Sequence, residues 1–384
     1  MNDYVPSLLL VMGHMHEGMS DHDFMHAEMD MAIKAEGMGY SAVWCVEHHF
    51  DRVYSMCPDN FVYLTYLAAK TERIKIGIGA CILPWNDPLR VIEKVNLLDI
   101  MSKGRLLLGL GRGLSRMEYG GFGIDMSEAR DRWSESYAMI SAAQKTGFIE
   151  GNGAFWKQPR TEIAPFSGIP LEGRTTEIAM SSESQILAAK LGLKMATFVV
   201  SPMDVMAPQL HKYREVFEET HGTPAPPPMV CDMITIHEDE EEALRLHREA
   251  VGAYFFSLIK HYELAGNHFK DIKGYESYDA MAGMFKAAGM DRAAEAYVQS
   301  NLYGTPKTIV EKIRANLEVA GDYDMSTIFS IGARPYPQVE SMMRMFAERV
   351  TPEIVKMRTK RFASTPQRSM RGANAGSSMP VTAA

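Results

Sequence analysis

Four groups of polar residues have the types and spacing to do chemistry. The first is Glu47-His48-His49, a carboxylate followed by two imidazoles directly after a short apolar run. Imidazole exchanges protons near neutral pH, and a carboxylate beside it can orient the ring or raise its proton affinity. Structural, hydrogen-bonded histidines account for the same three residues equally well. The second is Gly109-Leu110-Gly111-Arg112-Gly113. Glycine lets a backbone approach a ligand and arginine grips phosphate. The run lacks the Walker pattern, and a tight turn explains it as readily. The third is Ser181-Ser182-Glu183-Ser184, where a helix start offers amides and hydroxyls to an anion or makes an ordinary capping box. The fourth is His14-x-His16 with His22 and His26. Such a pair can bind metal, but the further ligands of a catalytic zinc site do not appear at recognisable spacing. These histidines read instead as pocket-lining groups at the end of a first strand.

The elements that carry these groups alternate between short β-branched apolar runs and longer amphipathic stretches, the pattern of βα units around a parallel sheet. Strands are expected near Ser7–Met12, Ala42–Val46, Ile74–Leu83, Leu106–Leu110, Glu177–Met180, Met195–Val200, Met229–Ile236 and Thr327–Ile331. Helices are expected over His22–Gly37, Phe61–Thr71, Leu89–Met101, Glu128–Lys145, Ser184–Leu191, Val205–Thr220, Glu238–Tyr262 and Gln338–Met357. Eight βα pairs predict a closed (β/α)₈ TIM barrel, in which functional groups gather at the C-terminal ends of the strands. Gly151–Gly173, rich in Gly, Pro and aromatics, reads as an irregular excursion. Ala265–Pro306, between the seventh and eighth strands, is too long for a plain connection. Thr305 and Pro306 have the form of an N-cap and first helical residue. A single domain is expected over residues 1–361, with a tail over 362–384 that lacks apolar periodicity and is expected to be disordered.

The chain has 384 residues, 46% hydrophobic and 23% charged, with a formal charge of -8 and a pI near 5.9. A mildly acidic surface argues against nucleic acid or an anionic membrane as the main partner. The first residues lack the basic region of a signal peptide, and no stretch approaches the roughly 18 apolar residues of a membrane span. Cys45, Cys57, Cys81 and Cys231 lack metal-site spacing and read as reduced, buried thiols of a cytoplasmic protein. The 29 methionines read chiefly as core filler, although thioethers also suit a soft pocket.

In their order along the chain, further residues complete a resemblance. Ala35-Glu36-Gly37 and Val43-Trp44 precede Glu47-His48-His49-Phe50; Ile82-Leu83-Pro84 and Pro88 follow. Next come Val95-Asn96-Leu97-Leu98-Asp99, Met101-Ser102-Lys103-Gly104-Arg105, Arg112-Gly113-Leu114, Phe122-Gly123, Asp125-Met126 and Gly304-Thr305-Pro306. With these the sequence resembles the bacterial luciferase-like flavin monooxygenases, and most of all the luciferase alpha subunit. The similarity runs from about residue 7 to 350, dense as far as Arg130 and thin beyond it. The ordered combination is specific; no single piece is.

The resemblance implies an enzyme that uses reduced FMN and O2, forms an oxygenated flavin at C4a, and oxidises a small apolar substrate, an aldehyde or ketone by preference. It places Arg112 on the FMN phosphate, with Arg130 in the same region, backbone amides of Met180 and Ser181, and the Ser184 hydroxyl. It puts Gly79–Ala80 where the family carries a non-proline cis peptide under the flavin ring. His48 takes the position of the family's catalytic histidine, with Glu47 as its neighbour or a flavin contact. The stretch 265–306 lies where luciferase has a mobile lid. His14, His16, Tyr254 and Phe255 are candidates for the substrate pocket, the aromatics having plain helix packing as their other reading. No dinucleotide fingerprint is visible, so a separate NAD(P)H:flavin reductase is implied, as is a homodimer through the second and third helices. Two departures stand out: Gly111 replaces a reactive cysteine, and His14 and His16 replace less basic pocket residues, so light emission is not expected. The rival readings are a coenzyme F420-dependent hydride-transferring oxidoreductase on the same barrel, a flavin-binding protein without catalysis, and a metal hydrolase built on His14, His16 and His48.

Overall fold

A computed structural model describes residues 4–266, 269, 275 and 289–364. Eight parallel strands close into a barrel: β1 (Ser7–Leu10), β2 (Ala42–Cys45), β3 (Lys75–Ile82), β4 (Leu106–Gly111), β7 (Thr175–Ile178), β8 (Lys194–Phe198), β9 (Met229–Met233) and β12 (Asp324–Ile328). Each pairs with its neighbour in chain order, and β12 closes the circle on β1 through Ser7↔Ser326 and Leu8↔Thr327. The strands are short because both faces are covered, the inner by the opposite wall and the outer by helices. Between them run α1 (Asp21–Met38), α2 (Asn60–Lys70), α3 (Pro88–Met101), α4 (Arg116–Gly121), α5 (Ala129–Thr146), α6 (Ser182–Lys190), α7 (Met203–His221) and α8 (Glu240–His261). The helix Pro306–Ala320 starts as its residue types require, with the Thr305 hydroxyl accepting from Thr308 N–H and Pro306 at the first position.

The expected (β/α)₈ barrel is therefore present, with four local differences. The excursion at Gly151–Gly173 takes part in a hairpin, β5 (Phe148–Asn152) against β6 (Lys157–Glu162). Its strands are mostly exposed and polar, so no apolar alternation announces them. The seventh expected strand breaks at Ile234: β9 stays in the barrel, and β10 (Thr235–Ile236) leaves to pair with β11 (Tyr303–Gly304). The eighth starts three residues earlier than its apolar run suggests. Ser326 and Thr327 are buried in the strand because their hydroxyls bond across to Ser7. The last helix is two, Tyr336–Arg349 and Thr351–Ser364, parted at Val350 just before Pro352. The second of these extends two residues past the start of the expected tail, whose residues 365–384 lie outside the described ones. The expected lid falls partly outside them too; its described part includes the helix Met290–Ser300 and β11. Among the described residues no helix is long and apolar enough to cross a membrane.

Gly109 shows how closely the walls approach near the top of the barrel. A Cβ there would lie 2.1 Å from the Ile78 carbonyl oxygen, so no other residue fits between β3 and β4 at this level. The next residues of β3 form the Gly79–Ala80 peptide, which is cis. The glycines of the second polar group thus serve strand packing: a Cβ on Gly111 would meet Ile82 and Ala80.

Candidate active site

A cavity opens at the C-terminal end of the barrel, enclosing about 1200 Å³ of empty space including its mouth. Strand ends supply its walls: Val11 after β1, Val46 to His48 after β2, Gly79 and Ala80 in β3, Gly111 to Leu114 at β4, Ile178 and Met180 at β7, Phe198 and Val200 at β8. Tyr54, Glu118, Ser184, Tyr254, Leu258 and Tyr262 complete much of the lining.

His48 is held from behind. Its Nδ1 lies 3.0 Å from Glu118 Oε1, and the same oxygen accepts the His49 backbone N–H at 2.8 Å. This hydrogen bond assigns the Nδ1–H form to the neutral ring and leaves Nε2 facing the cavity. Nε2 lies 3.4 Å from the Tyr262 hydroxyl. Glu118 is 1% exposed. Burial pushes its carboxyl up, but the charges and hydrogen bonds of His48 and His261 outweigh burial and hold it well below the usual carboxylate range. His261 Nε2 sits 3.6 Å from Glu118, and its Nδ1 lies 3.4 Å from Asp51. The result is a carboxylate–imidazole pair open to the cavity on one side and backed by a second imidazole on the other.

Glu47 does not orient His48. Its carboxylate accepts from Trp85 Nε1 at 2.7 Å, Asn86 at 3.0 Å and Ile82 N–H at 3.2 Å, and faces His49 Nε2 at 3.3 Å. Neighbouring side chains in extended backbone point to opposite sides, so adjacency in sequence works against contact here. Glu47 ties the end of β2 to the β3–α3 connection and also borders the cavity.

The opposite wall is built for an anion. Ser181 caps α6, accepting Ser184 N–H at 3.3 Å, and Ser184 and Met180 face the cavity. A helix start with a hydroxyl is a ready anion site. Arg112 enters from the end of β4, its guanidinium 4.0 Å from the centre of the Tyr275 ring. The Tyr275 hydroxyl donates to the Gly113 carbonyl at 2.9 Å, which steadies that ring. Glu177 lies buried within the field of Arg112 and Arg130. Burial pushes its carboxyl well above the usual range, against the pull of both arginines. Arg130 itself starts α5 and does not border the cavity, and neither does Ser181. Arginine, serine hydroxyl and helix amides fit a phosphate, while the Gly79–Ala80 peptide and the apolar walls fit a flat ring system.

Tyr254 lines the cavity and Phe255 does not. Successive helix residues are turned by about 100°, and Phe255 packs between Phe256 and Tyr297 instead. His14 and His16 also lie outside the lining. β1 ends at Leu10, and Met12, at φ 58°, turns the chain away. His14 stacks on Phe24 with ring centres 4.5 Å apart, its Nε2 at 3.1 Å from the Met19 carbonyl. His16 bonds the Arg334 carbonyl at 2.9 Å and stacks on Tyr336. Among the described residues the metal-type donors that converge are His48, Glu118 and His261, within 4.8 Å of one another, rather than the set with His14 and His16.

Glu28, near that corner, supplies a test of the fold. It is fully buried and accepts hydrogen bonds from Ser330 and Tyr336, yet burial raises its carboxyl to about 7. Its folded value lies above its unfolded one, so the stabilisation is complete below about pH 4.5 and is lost as pH rises through about 7. A shift of that size corresponds to roughly 3 kcal/mol. Glu28→Gln keeps an acceptor for both donors and removes the titration. It is expected to melt above the wild type at pH 8 and level with it near pH 5. Parallel melting curves at both pH values would contradict this account.

Sequence reasoning missed Glu118, Tyr54, Tyr262, His261, Tyr275 and Glu177. For Glu118 a signal was present and points elsewhere: Ser115-x-x-Glu118 has the form of a capping box. Ser115 does cap α4 through Glu118 N–H, but the carboxylate is taken by His48 and His49.

The family model described as luciferase-like monooxygenase matches residues 8–323. The chain belongs to the luciferase-like monooxygenase family. It is a flavin-dependent monooxygenase. The alkanal monooxygenase alpha chain of Photobacterium leiognathi is 25% identical over 344 residues, covering 88% of this chain and 95% of that one. Among solved structures, monooxygenase RslO1 from Streptomyces bottropensis superposes with a TM-score of 0.76 at 23% identity, over 91% of this chain and 99% of its own. The oxygenating constituent of 3,6-diketocamphane monooxygenase from Pseudomonas putida, a type II Baeyer-Villiger monooxygenase in complex with FMN, gives 0.72 at 20% identity, over 91% and 98%. At these identities the two structures speak for the fold alone.

Proposed function

We propose that this protein is the oxygenase component of a two-component system that takes reduced FMN and O2 and oxidises a small apolar aldehyde or ketone. The observation that carries the reading is a single cavity with a phosphate-type wall on one side and the Glu118–His48 pair on the other. Arg112, Ser184 and the amide region at Met180 would hold the FMN phosphate, and the Gly79–Ala80 peptide would border its ring. Arg130, whose charge also reaches Glu177, would add to the positive field of the same region. Reduced FMN, when bound, supplies the activated oxygen. The chain's own residues do the rest: apolar walls at Val11, Ile82, Phe198 and Val200 exclude water, Glu118 keeps the His48 ring fixed, and His48 exchanges a proton at Nε2.

The whole of residues 1–361 would work as one domain. With no dinucleotide fingerprint, reduced flavin would come from a separate NAD(P)H:flavin reductase. The flavin-dependent trigonelline monooxygenase of Acinetobacter baylyi, whose oxygenase component is 34% identical over 133 residues, supports such a division of labour. Four free thiols, all buried, suit the cytoplasm.

The test is to load the protein anaerobically with reduced FMN, mix it with oxygen and follow the flavin absorbance. Reoxidation slower than that of free reduced FMN, with the delay shortened in His48→Ala, is the expected result. Failure to bind reduced FMN would sink the reading and make coenzyme F420 the next ligand to try. Binding with reoxidation at the free rate would favour a flavin-binding protein without catalysis.

The homodimer is part of the same proposal. Val62 and Tyr66 on α2, and Leu97, Ile100 and Met101 on α3, are exposed apolar residues, Val62 at 71% and Leu97 at 49%. Clusters of this kind mark association surfaces. Leu97→Glu is expected to convert a dimer into a folded monomer by light scattering. A dimer that persists in Leu97→Glu combined with Val62→Lys places the interface elsewhere.

A further inference from the structure

His261 stands between two carboxylates. Its Nδ1 lies 3.4 Å from Asp51 Oδ2, and its Nε2 lies 3.6 Å from Glu118 Oε1. The side chains of His261 and Glu118 are both buried, so little solvent screens the contact. A neutral imidazole has one N–H, which serves one carboxylate, and its other nitrogen then turns a lone pair toward the second. Asp51, at the shorter distance, takes the N–H at Nδ1. Nε2 is then an acceptor that faces an acceptor, and buried lone pairs in that relation need a cation between them, a proton or a metal ion. His48 closes the third side. Its Nδ1 lies 3.0 Å from the same Glu118 oxygen, and its ring meets that of His261 edge-on with centres 5.3 Å apart. One donor atom from each of the three residues falls within 4.8 Å of the others. Donors around a tetrahedral zinc ion stand roughly 3.3–3.5 Å apart, and the separations of 3.0 and 3.6 Å bracket that spacing.

We infer that His48, Glu118 and His261 bind a divalent transition-metal ion through His48 Nδ1, a Glu118 carboxylate oxygen and His261 Nε2, and that Zn2+ is the ion this set suits. Imidazole nitrogens select this class over Mg2+ and Ca2+, which take oxygen ligands. Two histidines and one carboxylate form a three-ligand zinc set that leaves a fourth position to solvent. The surrounding contacts are those such a site needs. Asp51 holds the far nitrogen of His261, Tyr54 stacks on the same ring with centres 4.3 Å apart, and the His49 N–H holds the Glu118 carboxylate at 2.8 Å. A carboxylate on the outer nitrogen of a metal-binding imidazole orients the ring and raises its basicity. His48 and Glu118 border the main cavity, which gives an ion its way in. Binding replaces one hydrogen bond, that from His48 Nδ1 to Glu118. The neutral ring gives up its Nδ1 proton to solvent and carries one at Nε2 instead. Resting on the function proposed above, the ion is an inhibitor. It fixes the proton at Nε2 and occupies the Glu118 charge, so His48 no longer exchanges a proton.

The experiment uses the full-length protein, stripped with a chelator, and Zn2+ and Co2+ as probes. Competition with a chromogenic zinc indicator is expected to show one tightly bound Zn2+ per chain, and Co2+ is expected to give the visible ligand-field bands of a four-coordinate site. Asp51→Asn should weaken Zn2+ binding by about 10–100-fold, and His261→Gln, which removes a ligand, should weaken it further. His22 and His26 form an exposed imidazole pair on α1 with ring centres 4.4 Å apart. His22→Gln combined with His26→Gln should leave the tight site unchanged. Loss of tight binding in that double variant with its retention in His261→Gln overturns the inference. So does a wild type that binds no Zn2+ beyond the surface pair, in which case the cation between His261 and Glu118 is a proton. Should His261→Gln fail to fold, Asp51→Asn and Glu118→Gln decide in its place, both being expected to weaken binding. FMN titrations on the same samples separate the two readings. Zn2+ at the triad without FMN binding removes the proposed function and keeps the metal site, whereas FMN binding without Zn2+ at the triad keeps the function and removes the site. Where both bind, turnover should fall as the site fills and return on addition of EDTA. Turnover that is indifferent to a filled site overturns the inhibitory role.

Discussion

Glu118→Gln is expected to lower turnover by about 10²-fold, with FMN affinity and melting temperature close to wild type. Glu118 Oε1 serves two donors at once, His48 Nδ1 at 3.0 Å and His49 N–H at 2.8 Å. A glutamine oxygen can occupy the same place and accept from both, so ring orientation and tautomer survive. What disappears is the charge. Hydrogen bonds to an ionised acceptor are about twice as strong as neutral ones, and the imidazolium is the form of His48 that has a proton to give. The carboxylate is available for this throughout the working range. Its folded value is depressed, so its ionised form is kept above the ordinary carboxylate range and is lost only as pH falls through the depressed value. The loss should fall on kcat with KM little changed, because Glu118 acts through His48. Glu118→Asp, which keeps the charge at a longer distance, should recover part of the rate. His48→Ala gives the reference, with an expected loss of about 10²–10⁴-fold. Full activity in Glu118→Gln would show that His48 works without a charged partner and would reduce Glu118 to a tether for His49.

Arg112→Met is expected to weaken FMN binding by about 10²–10⁴-fold, on the basis of two charge-assisted hydrogen bonds of roughly 1.5–3 kcal/mol each. Riboflavin, which has the same ring and no phosphate, should bind wild type and variant alike. The comparison separates loss of a phosphate contact from damage to the ring site. Arg112→Lys should fall between, since an ammonium carries the charge without the planar fork. Stability should change little. Removing Arg112 withdraws a cation from Glu177, whose carboxyl burial raises well above its usual range against the pull of both arginines. The lost contact with the Tyr275 ring is one structural cost, about 0.5–2 kcal/mol for a cation over an aromatic face. Titrations by flavin fluorescence quenching measure each of these pairs. An equal loss for FMN and riboflavin would place Arg112 on the ring or in the fold, and the phosphate would need another cation.

The barrel was legible because its physics is local. A buried parallel strand needs a short β-branched run, a covering helix needs apolar residues at helical spacing, and both signals survive along most of the chain. They failed where local chemistry and local structure part company. β12 begins at Asp324 because serine and threonine hydroxyls pair with Ser7 across the closing seam, and no apolar run shows that. β5 and β6 form a mostly solvated hairpin, with Ile149 buried but no apolar alternation along either strand. Met12 turns the chain in a left-handed conformation unusual for its residue type. That turn carries His14 and His16 out of the cavity they were expected to line.

The candidate site divides in the same way. The sequence by itself determined that polar groups would stand at the tops of strands, because each directly follows an apolar run and the barrel gathers such ends on one face. His48, Arg112, Met180, Ser184 and Tyr254 come to one cavity for that reason. Which groups then touch was decided only by the tertiary structure. Glu47 is adjacent to His48 and bonds elsewhere, while Glu118 is 70 residues away and holds its ring. Tyr54 and Tyr262, whose hydroxyls bond directly, are separated by 208 residues. Backbone geometry sends neighbouring side chains apart and closure of the barrel brings distant ones together. Spacing along the chain therefore specified where the site would be, and the fold specified the partners that give it its chemistry.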